Sequence, residues 1–226
     1  MSKGFLITIS GIDGSGKSSN TVALQRSLES IGVPATRAWV GHKPILSFPF
    51  LAFVRLLGYT HRKEVKGITF YWRDIGNNAA LAKLWPLVLA LDFFPKAILS
   101  VTIPLLKGRT VVCDRYLYDM IAELSQQRLI GPRTKKILSG MLPRPNISFL
   151  MDVDENLAWK RALVPGRARE QPIYDLGERR KAFLQLAREF HMIILDGGGD
   201  LEHNRAEILN LTLGSRASSE NRELRK

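Results

Sequence analysis

The stretch Ile7–Asn20, ITISGIDGSGKSSN, decides the fold. An alternating, mostly apolar run stops at Gly11, the chain then avoids bulk, and a lone lysine, Lys17, stands before a hydroxyl, Ser18. Gly11-Ile12-Asp13-Gly14-Ser15-Gly16-Lys17-Ser18 satisfies G-x-x-x-x-G-K-[S/T] without a gap, after a strand-like run and before a helical one. Glycines let backbone N–H groups turn inward and approach phosphate oxygens closely. A helix opening near Gly16 adds unpaired N–H groups and its positive dipole end. The segment Gly11 to Ser19 is therefore expected to cradle the phosphates of ATP. Lys17 would reach the β- and γ-phosphates, and the Ser18 hydroxyl would serve Mg²⁺. A glycine-rich turn that binds nothing is the alternative, and the agreement of motif and context argues against it.

Working outward, five apolar runs read as strands: Phe5–Ser10, Pro34–Val40, Thr110–Cys113, Ile147–Asp152 and Met192–Leu195. Several are apolar at both parities, as expected of strands covered on both faces. Helical patterns separate them at Ser18–Ile31, Gly76–Leu84 and its continuation, Tyr118–Leu129, Glu155–Leu163 and Leu176–Phe190. This alternation predicts an α/β fold of the P-loop NTPase type. Three layers are expected, with a five-stranded, mostly parallel sheet, helices on both faces and a short lid. Ligands of such sheets sit beyond the carboxyl ends of the strands. One domain is expected over residues 1–214, with a lid at about 160–174. The polar segment 215–226 reads as a disordered tail.

The 226 residues carry 33 Lys and Arg against 21 Asp and Glu, a formal charge of +12, which favours polyanionic partners without choosing among them. Cys113 is the single cysteine, so no internal disulfide can form; with no secretory pattern at the N-terminus, the cytoplasm is the expected setting. Leu84–Leu106 is long and apolar but holds Asp92, Lys96 and three prolines, so it reads as a kinked helix, or two short ones, on the sheet. No membrane span is expected. No helix-turn-helix or zinc-finger pattern accompanies the charge, so nucleic acid is not the expected partner.

The other strand ends supply further candidates. Asp114 and Arg115 follow the third strand; a carboxylate there can hold Mg²⁺ or orient a hydroxyl, and an arginine can clamp phosphate. A strand-end ion pair accounts for them equally well. Asp13 can either reach an acceptor or stabilise its own turn. FYWRD, Phe70–Asp74, sets aromatics beside Arg73 at the expected start of a helical region, where they could stack on and fork to a base; core aromatics are the plainer reading. KRALVPGRARE, Lys160–Glu170, offers Arg161, Arg167 and Arg169 around a Pro-Gly hinge, suited to closing over phosphates or to being a solvated loop.

Together these residues resemble the thymidylate kinase family of P-loop nucleoside monophosphate kinases, over roughly residues 4–210. ISGIDGSGKSS is similar to the family's phosphate loop, VVCDRY to its Asp-Arg-aromatic signature, and ISFLMDVDENLAWKR to the stretch leading into its lid. ERRKAFLQLAREFHMIILDGGGDLEHNRAEI is similar to the closing helix, last strand and adenine-side loop. The resemblance implies phosphoryl transfer from ATP to a nucleoside monophosphate, foremost dTMP, with Mg²⁺, in what is often a homodimer. It implies catalytic roles for Lys17, Asp114, Arg115, Arg167 and Arg169 and metal contacts from Ser18 and Asp114. Acceptor contacts fall to Asp13, Arg37, Phe70, Arg73, Arg115 and Tyr116. Two segments depart from the pattern: TRAWVG stands where the family has TREPGG, and LYDMIAELSQQ where it has a serine-rich, base-contacting stretch. Both lie on the acceptor side. They keep open an acceptor other than dTMP, whether another nucleoside, nucleotide or small hydroxylated metabolite. A nucleotide-binding regulator or nucleic-acid-associated ATPase is the further alternative, prompted by the charge.

Overall fold

The computed structural model describes residues 4–41, 44–65, 68–162 and 173–224. In chain order its elements begin with β1 (Phe5–Ser10), α1 (Lys17–Ser30), β2 (Ala35–Trp39), α2 (Phe48–Leu56), β3 (Thr60–Val65) and β4 (Ile68–Arg73). There follow α3 (Ala79–Ala97), a π-helical turn (Ile98–Thr102), α4 (Ile103–Leu106), β5 (Thr110–Asp114), α5 (Leu117–Gln126) and α6 (Pro132–Gly140). The chain continues through β6 (Ile147–Asp152), α7 (Glu155–Ala162), α8 (Ile173–Glu189), β7 (Ile193–Asp196) and α9 (Leu201–Leu224).

Five strands form one parallel sheet in the order β2-β5-β1-β6-β7, which places β1 at its centre. Every residue of β1 is buried, and the apolar parity is double because each face meets a different layer. Leu6, Val111, Cys113 and Leu150 pack into a core with α3, α5 and α8, whereas Phe5, Ile7, Ile9, Val112 and Phe149 pack into a second core with α1 and α9. Each such fully buried aliphatic or aromatic side chain is worth about 1.5–3 kcal/mol of transfer from water. The register sets Ile9 beside Asp114 and Asp152 beside Asp196, so the loops after β1, β5, β6 and β7 open at one edge.

Three regions differ from the sequence expectation. The FYWRD segment is strand, not the start of a helix: β4 pairs antiparallel with β3, Thr60 opposite Arg73. Its β-branched and aromatic run, ITFYWR, has strand propensity and no helical period. The tail expected to be disordered from residue 215 continues α9 to Leu224. Arg216 anchors it, donating from Nη1 to Thr110 Oγ1 at 2.7 Å, with an i,i+4 pair to Glu220. The short helices α2 and α6 also went unseen, each opening on a proline at its first turn.

The apolar Leu84–Leu106 stretch is helical throughout, with Pro86 and Pro95 inside α3 and the π turn just before Pro104. Trp85, Leu89, Phe93, Ala97 and Val101 face the core. By length and composition Ala79–Leu106 could cross a bilayer. Its two central charges are instead committed within the fold. The Asp92 carboxylate accepts from the N–H groups of Ile45, Leu46 and Ser47, and Lys96 donates to the Gly41 carbonyl at 2.9 Å while lying 3.8 Å from the Trp39 ring centre.

Candidate active site

The loop after β1 turns on glycines with positive φ. Gly14 (φ 87°) has a second constraint, because a Cβ there would lie 2.2 Å from the Ala158 carbonyl of α7. Gly16 (φ 88°) caps α1, leaving the first N–H groups of that helix aimed out of the sheet edge. Ile12 is core, Ser15 is buried, and Ser18 and Ser19 are exposed on the first turn of α1.

Lys17 is buried, with Nζ donating to the Ile12 carbonyl at 3.0 Å and to Asp13 Oδ1 at 3.2 Å. Burial, aided by the nearby Arg115 guanidinium, pulls its pKa down despite the Asp13 carboxylate. Arg115 approaches from the other side and donates from Nη2 to the same Asp13 oxygen. Burial alone would raise the Asp13 carboxyl. Lys17 and Arg115 outweigh it and hold that carboxyl well below the usual range. Burial opposes the charge of Arg115, but Asp13, Asp119 and Asp114 outweigh it and raise its pKa further. Arg115 adopts φ 63°, the left-handed region that a residue with a Cβ enters at a cost of about 1–2 kcal/mol. Its N–H still donates to Ile9 O at 3.3 Å, which ties the turn to the central strand.

Asp114 ends β5, buried beside β1, and its Oδ1 has no hydrogen-bond partner among the described residues. A buried carboxylate oxygen left open is a ready ligand for a hard cation. No group of three or more His, Cys, Asp or Glu is placed to hold a metal ion among the described residues. The donor set is thus one carboxylate oxygen and a hydroxyl. That suits Mg²⁺, which takes few protein ligands and completes its shell with water and phosphate oxygens.

Asp119 was missed in the sequence. It is fully buried in α5, and its Oδ2 accepts from Ser10 Oγ at 2.7 Å and from Tyr116 N at 3.1 Å, while Oδ1 has no partner. Burial raises its pKa, against the pull of Arg115 and Lys17. The signal for it was an acid in the first turn of α5, at the position that closes a capping box. Asp119, Arg115, Glu123 and Asp92 line a small cleft with Val40, Gly41, Phe93 and Met120 at the carboxyl edge of the sheet.

The remaining predicted residues fall in different places. Tyr116 is core: its hydroxyl donates to Pro143 O at 3.1 Å, and burial raises its pKa. Arg37 is exposed in the middle of the edge strand β2, in register with Val112, and it is Val40 and Gly41, just after β2, that reach the cleft. Phe70 and Arg73 lie on β4. Arg167 and Arg169 lie outside the described residues. Beside them in sequence, Arg161 donates to Gly197 O, and Arg180 grips Asp152 with two bonds of 2.7 and 2.9 Å. The loop after β7 closes on the phosphate loop, since a Cβ at Gly197 would sit 2.9 Å from Ser15 O.

A phosphate loop at the end of the central strand, with a carboxylate and an arginine at the end of its neighbour, defines a P-loop nucleotide-binding enzyme fold. The sequence model of the family described as thymidylate kinase matches residues 88–208, more than half of the chain, and the chain belongs to that family. It is 28% identical over 212 residues to a thymidylate kinase of Fervidobacterium nodosum, covering 91% of this chain and 96% of that one. It is 29% identical over 190 residues to a probable thymidylate kinase of Methanocaldococcus jannaschii, covering 84% and 85%. A probable thymidylate kinase of Sulfurisphaera tokodaii matches more narrowly, at 34% over 99 residues.

Proposed function

We propose that this protein transfers the γ-phosphoryl group of ATP to a nucleoside monophosphate, with dTMP the principal acceptor: ATP + dTMP → ADP + dTDP. One observation carries the reading: Lys17, from the phosphate loop, and Arg115, from the end of β5, converge on Asp13 at the sheet edge where a donor and an acceptor would meet. Lys17 and the amides of Gly11–Ser19 bind the donor phosphates. Arg115 holds the phosphate between donor and acceptor, and Asp13 turns to the acceptor's sugar hydroxyl. Ser18 and Asp114 hold Mg²⁺, which when bound offsets charge on the phosphate oxygens. Arg167 and Arg169 supply the lid, and Arg73 and Phe70 the acceptor's base. Little covalent chemistry is asked of the protein; the rate comes from positioning and fixed charge. The proposed setting is the cytoplasm.

The test is ADP release from ATP and Mg²⁺ against a panel of nucleoside monophosphates and nucleosides, with a no-acceptor control. Release that depends on dTMP, and falls about a hundredfold or more in Lys17→Ala with its fold intact, is the expected result. Full activity in that variant would overturn it. A second reading, a different acceptor, draws on Glu123 and the unpartnered Oδ1 of Asp119, which line one cleft. Such oxygens suit an acceptor rich in hydroxyl or amino donors, and dTMP inert beside an active alternative in the same panel would select it.

A further inference from the structure

The phosphate loop follows the carboxyl end of β1. The amino-terminal edge of the same sheet holds a second concavity, between α6, the chain leading into β6 and the turn from α8 into β7. Its volume of about 1150 Å³ accommodates a nucleotide-sized ligand, for which pockets of about 300–1,000 Å³ are usual. The sequence stiffens its rim. Arg144 stands between Pro143 and Pro145, and the residue before a proline is confined to extended backbone. Both ends of that rim are pinned: the Tyr116 hydroxyl donates to Pro143 O at 3.1 Å, and Asn146 Oδ1 accepts from Leu6 N at 2.7 Å. In the turn into β7, His191 adopts φ 51°, the left-handed region where a chain leaving a helix ordinarily uses glycine.

The lining is charged in one sense. Lys135, Lys136, Arg144 and His191 stand against one carboxylate, Glu189, and Lys135 already donates to it. Lys136, Arg144 and His191 are exposed and make no hydrogen bond or ion pair among the described residues. The floor is polar where the sheet comes through and aromatic beside it. Ser148, buried, accepts from Thr8 at 3.0 Å and shares a hydrogen bond with Tyr118. Tyr118 lies against Phe190, ring centres 5.1 Å apart. Several uncommitted cations in one concavity suit a chain of phosphates, and an aromatic and proline wall suits a flat ring. A solvated basic face would account for the cations but needs neither the cavity nor the pinned rim.

We propose that this amino-edge cavity is a second binding site, for a nucleoside polyphosphate, separate from the phosphate loop. Lys136, Arg144 and His191 hold the phosphates, and Tyr118 and Phe190 meet the base. Tyr118 belongs to the first turn of α5, beside Asp119 and shortly after Arg115, so a ligand here touches the helix that enters the candidate active site. The site does not depend on the identity of the acceptor.

The test is equilibrium dialysis of the full chain against radiolabelled adenylyl imidodiphosphate with Mg²⁺, which counts sites without turnover. Two sites per chain are expected in the wild type, one in Lys136→Ser/Arg144→Ser and one in Lys17→Ala. The site kept in Lys17→Ala should be displaced by tripolyphosphate and weaken about tenfold or more as salt is raised. His191→Gly relaxes the turn, so it should unfold at higher urea than the wild type and yet bind at this edge about threefold or more weakly. Loss of all binding in Lys17→Ala overturns the proposal, as does a wild-type count unchanged in Lys136→Ser/Arg144→Ser with its circular dichroism intact. So does an edge that takes single-stranded DNA in place of the analogue, which would assign it to nucleic acid. A phosphate loop that bound nothing would give the wild type and Lys17→Ala the same single site, lost in Lys136→Ser/Arg144→Ser, so failure of the donor site is read separately.

Discussion

Arg115 donates to Asp13 Oδ1 across 102 residues of sequence, and Lys17 donates to the same oxygen. One carboxylate is thereby shared by two cations gathered at the ends of neighbouring strands, one at the start of α1 and one just after β5. Asp13→Asn should leave those cations facing each other. Because Asp13 is itself partly exposed, solvent screens the loss, and a destabilisation of about 1–2 kcal/mol by urea unfolding is expected. The folded carboxyl lies below its unfolded value, so its contribution is complete above the unfolded pKa of about 4 and fades as pH falls below it. Asp13→Asn should lose that part of the wild type's acid sensitivity.

The left-handed backbone of Arg115 separates two roles of the residue. Arg115→Ala removes the guanidinium and keeps the Cβ; Arg115→Gly removes both. Thermal or urea unfolding should find the glycine variant the more stable of the two by about 0.5–1 kcal/mol, although glycine elsewhere costs stability. Both should lose phosphoryl transfer alike. The reverse order of stability would show that the φ of 63° carries no strain.

Gly14→Ala tests the contact with α7. A Cβ at 2.2 Å from a backbone carbonyl cannot be absorbed by a side-chain rotation, and the positive φ adds to the cost. A loss of about 2–4 kcal/mol is expected from overpacking and the left-handed backbone together. ATP binding, followed by a fluorescent analogue, should fall with it.

Asp119 works in the opposite sense to Asp13. Its folded pKa is raised, so the ionised form is the disfavoured one, and wild-type stability should decline as pH rises from about 4 through the folded value. Asp119→Asn can still accept from Ser10 and Tyr116 and does not ionise. Measured against the wild type, its relative stability should improve as pH is raised over that window. A difference that stays constant with pH would show that the carboxyl does not titrate there.

The phosphate loop was legible because local chemistry alone specifies it: glycines, a lysine and a hydroxyl in fixed order need no tertiary partner to be recognised. The central strands were legible because burial on both faces leaves an unbroken apolar record, and β1 and β6 carry the same bounds in sequence and structure. The hairpin β3–β4 was hidden because one partner, THRKEV, is polar and charged and leaves no apolar record of a strand. Segment 215–224 looked soluble and loose on composition, yet one long-range bond from Arg216 and an i,i+4 pair accompany a regular helix there. In the site, the unread residues were those whose roles arise from contact across the fold. Asp119 is held in place by Ser10 opposite it, and the Tyr116 hydroxyl is taken by the Pro143 carbonyl. Neither relation is written in spacing.

Gly197 rests on Ser15, and Ala158 on Gly14, so both walls of the phosphate loop come from the last third of the chain. On the ribosome the loop's own residues emerge before either of its walls, and the cradle is complete only once β7 has followed. Nucleotide binding is then acquired after the walls are made, and ATP cannot chaperone the sheet before them. Nascent chains stalled before β7 should pass through an ATP resin without being retained, whereas chains extended through α9 should bind it.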